Sequence, residues 1–323
     1  MLPRAENEIY AAPSPAPQRV WLHLLLFAAT CFTTYYVGGF FGQENGFSAT
    51  AGLAFSASLM SILLAHEMGH YLMARRHGVE ASLPYFIPFP APPIGTFGAV
   101  IRMRRPPPTR AALLDIGCAG PLAGFVVTAV VCLWGLSLSE VRPLSSLPPG
   151  AWMEGNSLAY IIFKKAAQPL MGPAEDVWLH PVAWAGWVGL LVTGLNLLPV
   201  GQLDGGHIFY ALFGEELHFR AGRWLHRAVF LLGLLGLVCH MALVFDERLV
   251  WAQKMGLSEL VVRGSGLTMW LVWTVLLGLV GYRHPPTLLA GEKLSAGRKL
   301  LGWLSLVVFV LTFTPIVGSP VWP

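Results

Sequence analysis

Between Leu63 and Gly78 the chain reads LLAHEMGHYLMARRHG. His66 and His70 are four residues apart, and on a helix such positions share one face, about 6 Å apart along the axis. Two imidazoles placed this way can converge on one metal ion. Glu67 points to the side of that face, close enough to reach an activated water but not placed as a third ligand. H-E-x-x-H is the zinc-peptidase arrangement, two histidine ligands with a carboxylate base. The competing reading is a packing pair of histidines beside an incidental glutamate. Cost weighs against it, because a charged group at bilayer depth costs about 2.5–3.5 kcal/mol on insertion scales. A zinc ion, bound with about 10–16 kcal/mol in structural sites, would offset that.

Zinc needs a further protein ligand from elsewhere in the chain. The best candidate lies in TGLNLLPVGQLDGGHIFYALFG, Thr193 to Gly214. There an apolar run is broken by Asn196, Pro199, Gly201, Asp204, Gly205, Gly206 and His207. Proline and paired glycines free the backbone from helical geometry, so the Asp204 carboxylate can be aimed sideways into the protein. Asp204 could instead cap the short helix that follows, and His207 is a competing ligand.

The elements that must carry these groups are membrane-spanning. Of 323 residues, 55% are hydrophobic and only 12% charged, against about 25% charged in a soluble domain. We read an all-α polytopic membrane protein of about six to seven transmembrane helices. Candidate spans fall near 20–40, 50–74, 112–136, 182–200, 225–245, 266–282 and 298–316. With the N-terminus inside, fifteen of the 21 Lys and Arg residues face inside and six outside, so the positive-inside rule favours a cytoplasmic N-terminus. His66 and His70 lie in the last third of the second span, which ends inside at Arg75–Arg76. Asn196 to Asp204 lie at the inside end of the fourth, so both elements reach the same depth.

Residues 1–18 read as a short cytoplasmic tail, without the features of a signal or transit peptide. Residues 19–316 read as one transmembrane domain with a catalytic core over about 50–210, and 317–323 as a C-terminal tail. The four cysteines (Cys31, Cys118, Cys132, Cys239) sit in apolar segments as small packing residues. Nothing suggests nucleic-acid binding.

After the second span, LPYFIPFPAPPIGTFGAVIRMRR (83–105) has five prolines in its first eleven positions, which excludes a helix. TFGAVIRM then alternates like a strand, so we expect a membrane-dipping β-hairpin or loop, buried in protein or lining a cavity. Its edge could pair with an unwound substrate backbone, or the hairpin could plug the cavity. The loop over 140–181 carries a possible short interfacial helix at NSLAYIIFKKAA. Gly117, Gly120 and Gly124 form a small-residue face suited to close helix packing. Asp115 could cap its helix or support the site.

The chain resembles the site-2 protease family of intramembrane zinc metalloproteases. HEMGH matches that family's H-E-x-x-H, and NLLPVGQLDGG its N-x-x-P-x-x-x-L-D-G-G signature. GTFGAVIRM followed by LDIGCAGPLAG resembles the branch of plant chloroplast homologues and their bacterial relatives. The resemblance covers about residues 50–210. It implies His66, His70 and Asp204 as ligands of one zinc ion per chain, Glu67 as base, and Asn196 as a hydrogen-bond donor to substrate or oxyanion. It further implies cleavage of a peptide bond in or near a transmembrane helix of a single-pass membrane-protein substrate in the bilayer. The family's PDZ module has no room in the 140–181 loop. A bacterial inner membrane is the expected location, with the active site toward the cytoplasm. The alternatives are another integral-membrane H-E-x-x-H peptidase, with Glu215 or Glu216 as ligand, and a divalent-metal transporter.

Overall fold

The computed structural model describes residues 19–42, 46–147, 151–245, 252–253, 255–287 and 293–320. The expected N-terminal tail, Arg248, Lys254 and residues 321–323 lie outside them. Helix α1 (Val20–Gly39) leads to α2 (Ala49–Arg76), a hairpin of β1 (Tyr85–Pro88) and β2 (Thr96–Val100), and α3 (Arg110–Ser137). Next come β3 (Glu140–Pro143), β4 (Trp152–Glu154), α4 (Leu158–Ala167) and β5 (Glu175–Trp178). The remainder is α5 (Pro181–Asn196), α6 (Asp204–Phe213), α7 (Glu215–Phe245), α8 (Ser258–Ser265), α9 (Met269–Val280), α10 (Ala296–Thr312) and β6 (Gly318–Pro320).

Helix starts follow local chemistry. Ser48, Thr109, Ser157 and Ser295 each accept a backbone N–H of the first turn of α2, α3, α4 and α10. Pro181 opens α5, where its missing N–H is no loss. Among the described residues, five helices are long and apolar enough to cross a membrane: α1, α2, α3, α7 and the continuous stretch Ser258–Val280. The two other expected spans are shorter, 16 residues in α5 and 17 in α10. Helix α5 is buried almost all round, at the centre of the bundle. It covers about 24 Å of the roughly 30 Å hydrocarbon thickness, and the irregular segment 197–203 continues it. The protein is an integral membrane protein.

The proline-rich segment forms the expected hairpin, which climbs along α1. His23 Nδ1 lies 3.1 Å from the Pro84 carbonyl, Phe27 meets Phe86 edge-on, and Gly95 abuts Thr33 and Thr34. At its tip the indole N–H of Trp184 donates to the Pro93 carbonyl at 3.4 Å. The hairpin is thus held against protein on one side, with Phe86, Gly95 and Thr96 buried, while Ile87, Phe89, Phe97 and Val100 are exposed.

On the face opposite Arg75 and Arg76, β3 pairs with β5 and β4 with β6. The segment expected as a C-terminal tail therefore carries a strand held against the 140–181 loop. The expected interfacial helix is α4, and its Lys164 is buried between Glu154 at 2.9 Å and Asp176 at 2.7 Å.

Candidate metal centre

Helices α2 and α3 pack so closely that a Cβ on Gly69 would lie 2.5 Å from the Ala119 carbonyl oxygen. They run antiparallel, and the glycine spacing on one matches the histidine spacing on the other: Gly120 faces His70 and Gly124 faces His66. The two glycines leave room for two imidazoles where larger residues would fill it. Gly117, on the same face, meets His207 of α6.

Asp204 arrives from the break after α5. Gly201 adopts φ +54°, and a Cβ on Gly205 or Gly206 would run into the carbonyls of Leu197 and Gly201. The glycines thus let α6 start directly against the preceding turn. Asp204 is the first residue of α6, and no side chain caps that helix. Its carboxylate instead faces the histidines, with Oδ2 3.2 Å from His66 Nε2 and Oδ1 3.2 Å from His70 Nε2. The two Nε2 atoms are 3.1 Å apart.

One donor atom from each of His66, His70 and Asp204 lies within 4.8 Å of the others. Tetrahedral zinc with ligand bonds of 2.0–2.1 Å separates its donors by about 3.3 Å, so the trio has the size of one face of such a site. Protonation agrees. The Nδ1–H of His70 donates to the Ile116 carbonyl at 2.8 Å, which leaves the Nε2 lone pair directed at the trio. Glu67 is buried beside it, as are both histidines, and Asn196 Nδ2 lies 3.4 Å from His66 Nε2. The donor set and its spacing fit zinc.

All five residues singled out from the sequence thus meet in one place. His207 does not join them; its Nδ1 lies 2.6 Å from His284 Nε2. Asp115 does not cap α3, a role taken by Thr109, and instead binds His77 and Arg298. Three features escaped sequence reasoning: the apposition of Gly120 and Gly124 to the histidines, the Ile116 carbonyl, and Arg298. The i, i+4 match between Gly120–Gly124 and His66–His70 was the one signal available.

A helical membrane bundle with a largely buried His, His, carboxylate trio beside a glutamate could hold a metal ion at membrane depth. The model of peptidase family M50 matches residues 54–237, and the chain belongs to that family. Among curated proteins it is 37% identical over 169 residues to "Probable zinc metalloprotease EGY1, chloroplastic" of Arabidopsis thaliana, covering 51% of this chain and 30% of that protein. It is 30% identical over 239 residues to the EGY1 protein of Oryza sativa subsp. japonica, 64% of this chain and 41% of the relative. To "Probable zinc metalloprotease EGY2, chloroplastic" of Arabidopsis thaliana it is 32% identical over 194 residues, 60% and 34%. The chain therefore spans about a third of the length of these relatives. No solved structure matches it.

Proposed function

We propose that the chain is an intramembrane zinc metalloendopeptidase that hydrolyses a peptide bond in or near a transmembrane helix of a membrane-protein substrate. The observation that carries this is the convergence of His66, His70 and Asp204 beside buried Glu67 at the Arg75 end of α2. Family membership and the names of the relatives support it. His66, His70 and Asp204 would hold one zinc ion, which when bound supplies Lewis-acid polarisation and lowers the pKa of water.

The chain's own residues do the rest. Glu67, adjacent to the trio and withdrawn from bulk solvent, takes the proton of the attacking water on its carboxylate and returns it to the departing amide nitrogen. The Asn196 amide donates to the scissile carbonyl as negative charge develops on its oxygen. A peptide bond in a helix is shielded by its own hydrogen bonds, so the substrate must be extended locally. Among the described residues strand β2 has β1 as its one strand partner, and with Phe97 and Val100 exposed its other edge is suited to hold such a segment.

The finer assignments belong to the same proposal. Residues 19–316 act as one catalytic domain, the substrate crosses the membrane once, and the centre faces the cytoplasm of a bacterial cell. The fifteen-to-six distribution of basic residues supports this orientation. The test is proteolysis of a reconstituted membrane-spanning substrate by wild type and Glu67→Gln. Cleavage by wild type alone is expected; equal cleavage by both overturns the reading.

A further inference from the structure

His70 lies on α2 and His77 caps its C-terminal end, seven residues on, and the two grip consecutive residues of α3. His70 donates Nδ1–H to the Ile116 carbonyl at 2.8 Å, and His77 Nε2 lies 2.9 Å from Asp115 Oδ2. Asp115 has a second partner on a third helix. Arg298, in the first turn of α10, places Nε 3.1 Å from Oδ1 and 3.0 Å from Oδ2. The carboxylate is mostly buried, with a side-chain exposure of 13%. Arg298 lies outside the residues matched by the family model.

We propose that Asp115, held between His77 and Arg298, is a positioning residue for the metal centre, and that α10 is thereby part of the functional unit. The inference rests on the zinc reading of His66, His70 and Asp204. A histidine ligand depends on the partner of its other ring nitrogen, which fixes both tautomer and ring orientation. That partner here is a main-chain carbonyl, so its position is only as firm as the helix carrying it. Helices α2 and α3 touch backbone to backbone at Gly69 and Ala119, with no side chain between them to absorb a slide. Asp115 opposes such a slide one residue from the carbonyl. His77 ties it to the helix that carries His70, and Arg298 ties it to the opposite side. A charge-assisted contact of this kind is stronger than a neutral hydrogen bond.

The test uses the full chain in detergent, as wild type, Asp115→Ala, Arg298→Gln and Arg298→Lys. Three quantities are read: zinc release to a chromophoric chelator, the visible spectrum of the cobalt-loaded protein, and thermal unfolding. Asp115→Ala and Arg298→Gln are expected to release zinc at least about tenfold faster and to alter the cobalt spectrum, with Arg298→Lys restoring part of both. If Asp115→Ala does not fold, Arg298→Gln decides alone. Wild-type zinc release and an unaltered cobalt spectrum in the variants, even with a lowered unfolding temperature, would reduce the contact to packing and overturn the proposal. A wild type that binds no zinc would instead overturn the reading of the centre itself.

Discussion

Replacing Gly120 by alanine adds one methyl group at the most crowded point of the centre. A Cβ there would lie 2.0 Å from Nε2, 2.3 Å from Cδ2 and 2.4 Å from Cε1 of His70. Ordinary contact begins near 3.4 Å, so about 1.4 Å of separation must be found. Helix α3 cannot retreat freely, because it is also tied to α2 through Asp115 and the Ile116 carbonyl. The imidazole must therefore swing, moving the very nitrogen that completes the trio. Metal–ligand distances tolerate about ±0.2 Å, several times less than the required displacement. Overpacking of this kind costs about 1–3 kcal/mol, which a well-packed bundle survives. The expected result is a folded, helical protein with much less than one zinc per chain, measured by atomic emission beside circular dichroism. Gly124→Ala is the internal comparison. Its methyl would meet His66 Cβ at 3.1 Å, a few tenths of an ångström too close, and most of the zinc is expected to remain. A Gly120→Ala protein that keeps one tightly held zinc would refute the reasoning.

Asn196→Ala should retain zinc and slow cleavage by about 10²–10³-fold, mainly in kcat, if its amide donates to developing charge; single-turnover kinetics with zinc analysis checks this. Phe97→Asp, on exposed β2, should slow cleavage of a membrane-spanning substrate while zinc content stays at the wild-type value, since Phe97 lies outside the trio. Lys164→Met should destabilise the loop between α3 and α5, by less than the roughly 3–5 kcal/mol of a fully buried pair. It leaves the partly buried Glu154 and Asp176 carboxylates without their cation, while the Tyr160 hydroxyl and Val177 N–H still donate to them. Burial alone would lower the Lys164 pKa, but the Glu154 and Asp176 carboxylates outweigh it and hold the ammonium above its usual range. A raised lysine pKa means that its contribution is fully present below the unfolded value and lost as pH rises through the folded one. The wild-type unfolding temperature should thus show no Lys164-linked change from pH 6 to pH 9 and fall only in stronger alkali.

The chemistry of this protein was more legible in its sequence than the geometry that supports it. His66, Glu67 and His70 announce themselves because polar groups at helical spacing in an apolar run need a common partner. Asp204 followed from the break around it, since Pro199, Gly201, Gly205 and Gly206 mark backbone that cannot stay helical. The prolines at 84–93 likewise marked the hairpin. Gly120 and Gly124 do pack α3 closely on α2, as their spacing suggests, but only the pairing of the two helices reveals which side chains they admit. The Asp115–Arg298 contact joins residues 183 apart, and local pattern carries no trace of such a pairing. The same holds for β4 with β6. Span counting found the buried α5 through its apolar run but could not foresee its end at Asn196, four residues short of the expected boundary.

The most direct measurement is the zinc content of the purified full chain as wild type, Asp204→Ala and Glu67→Gln, each checked for folding. If His66, His70 and Asp204 hold the ion and Glu67 only moves a proton, the values are one per chain, far below one, and one. A wild type without zinc, or an Asp204→Ala protein that still holds one zinc as firmly, would contradict the account.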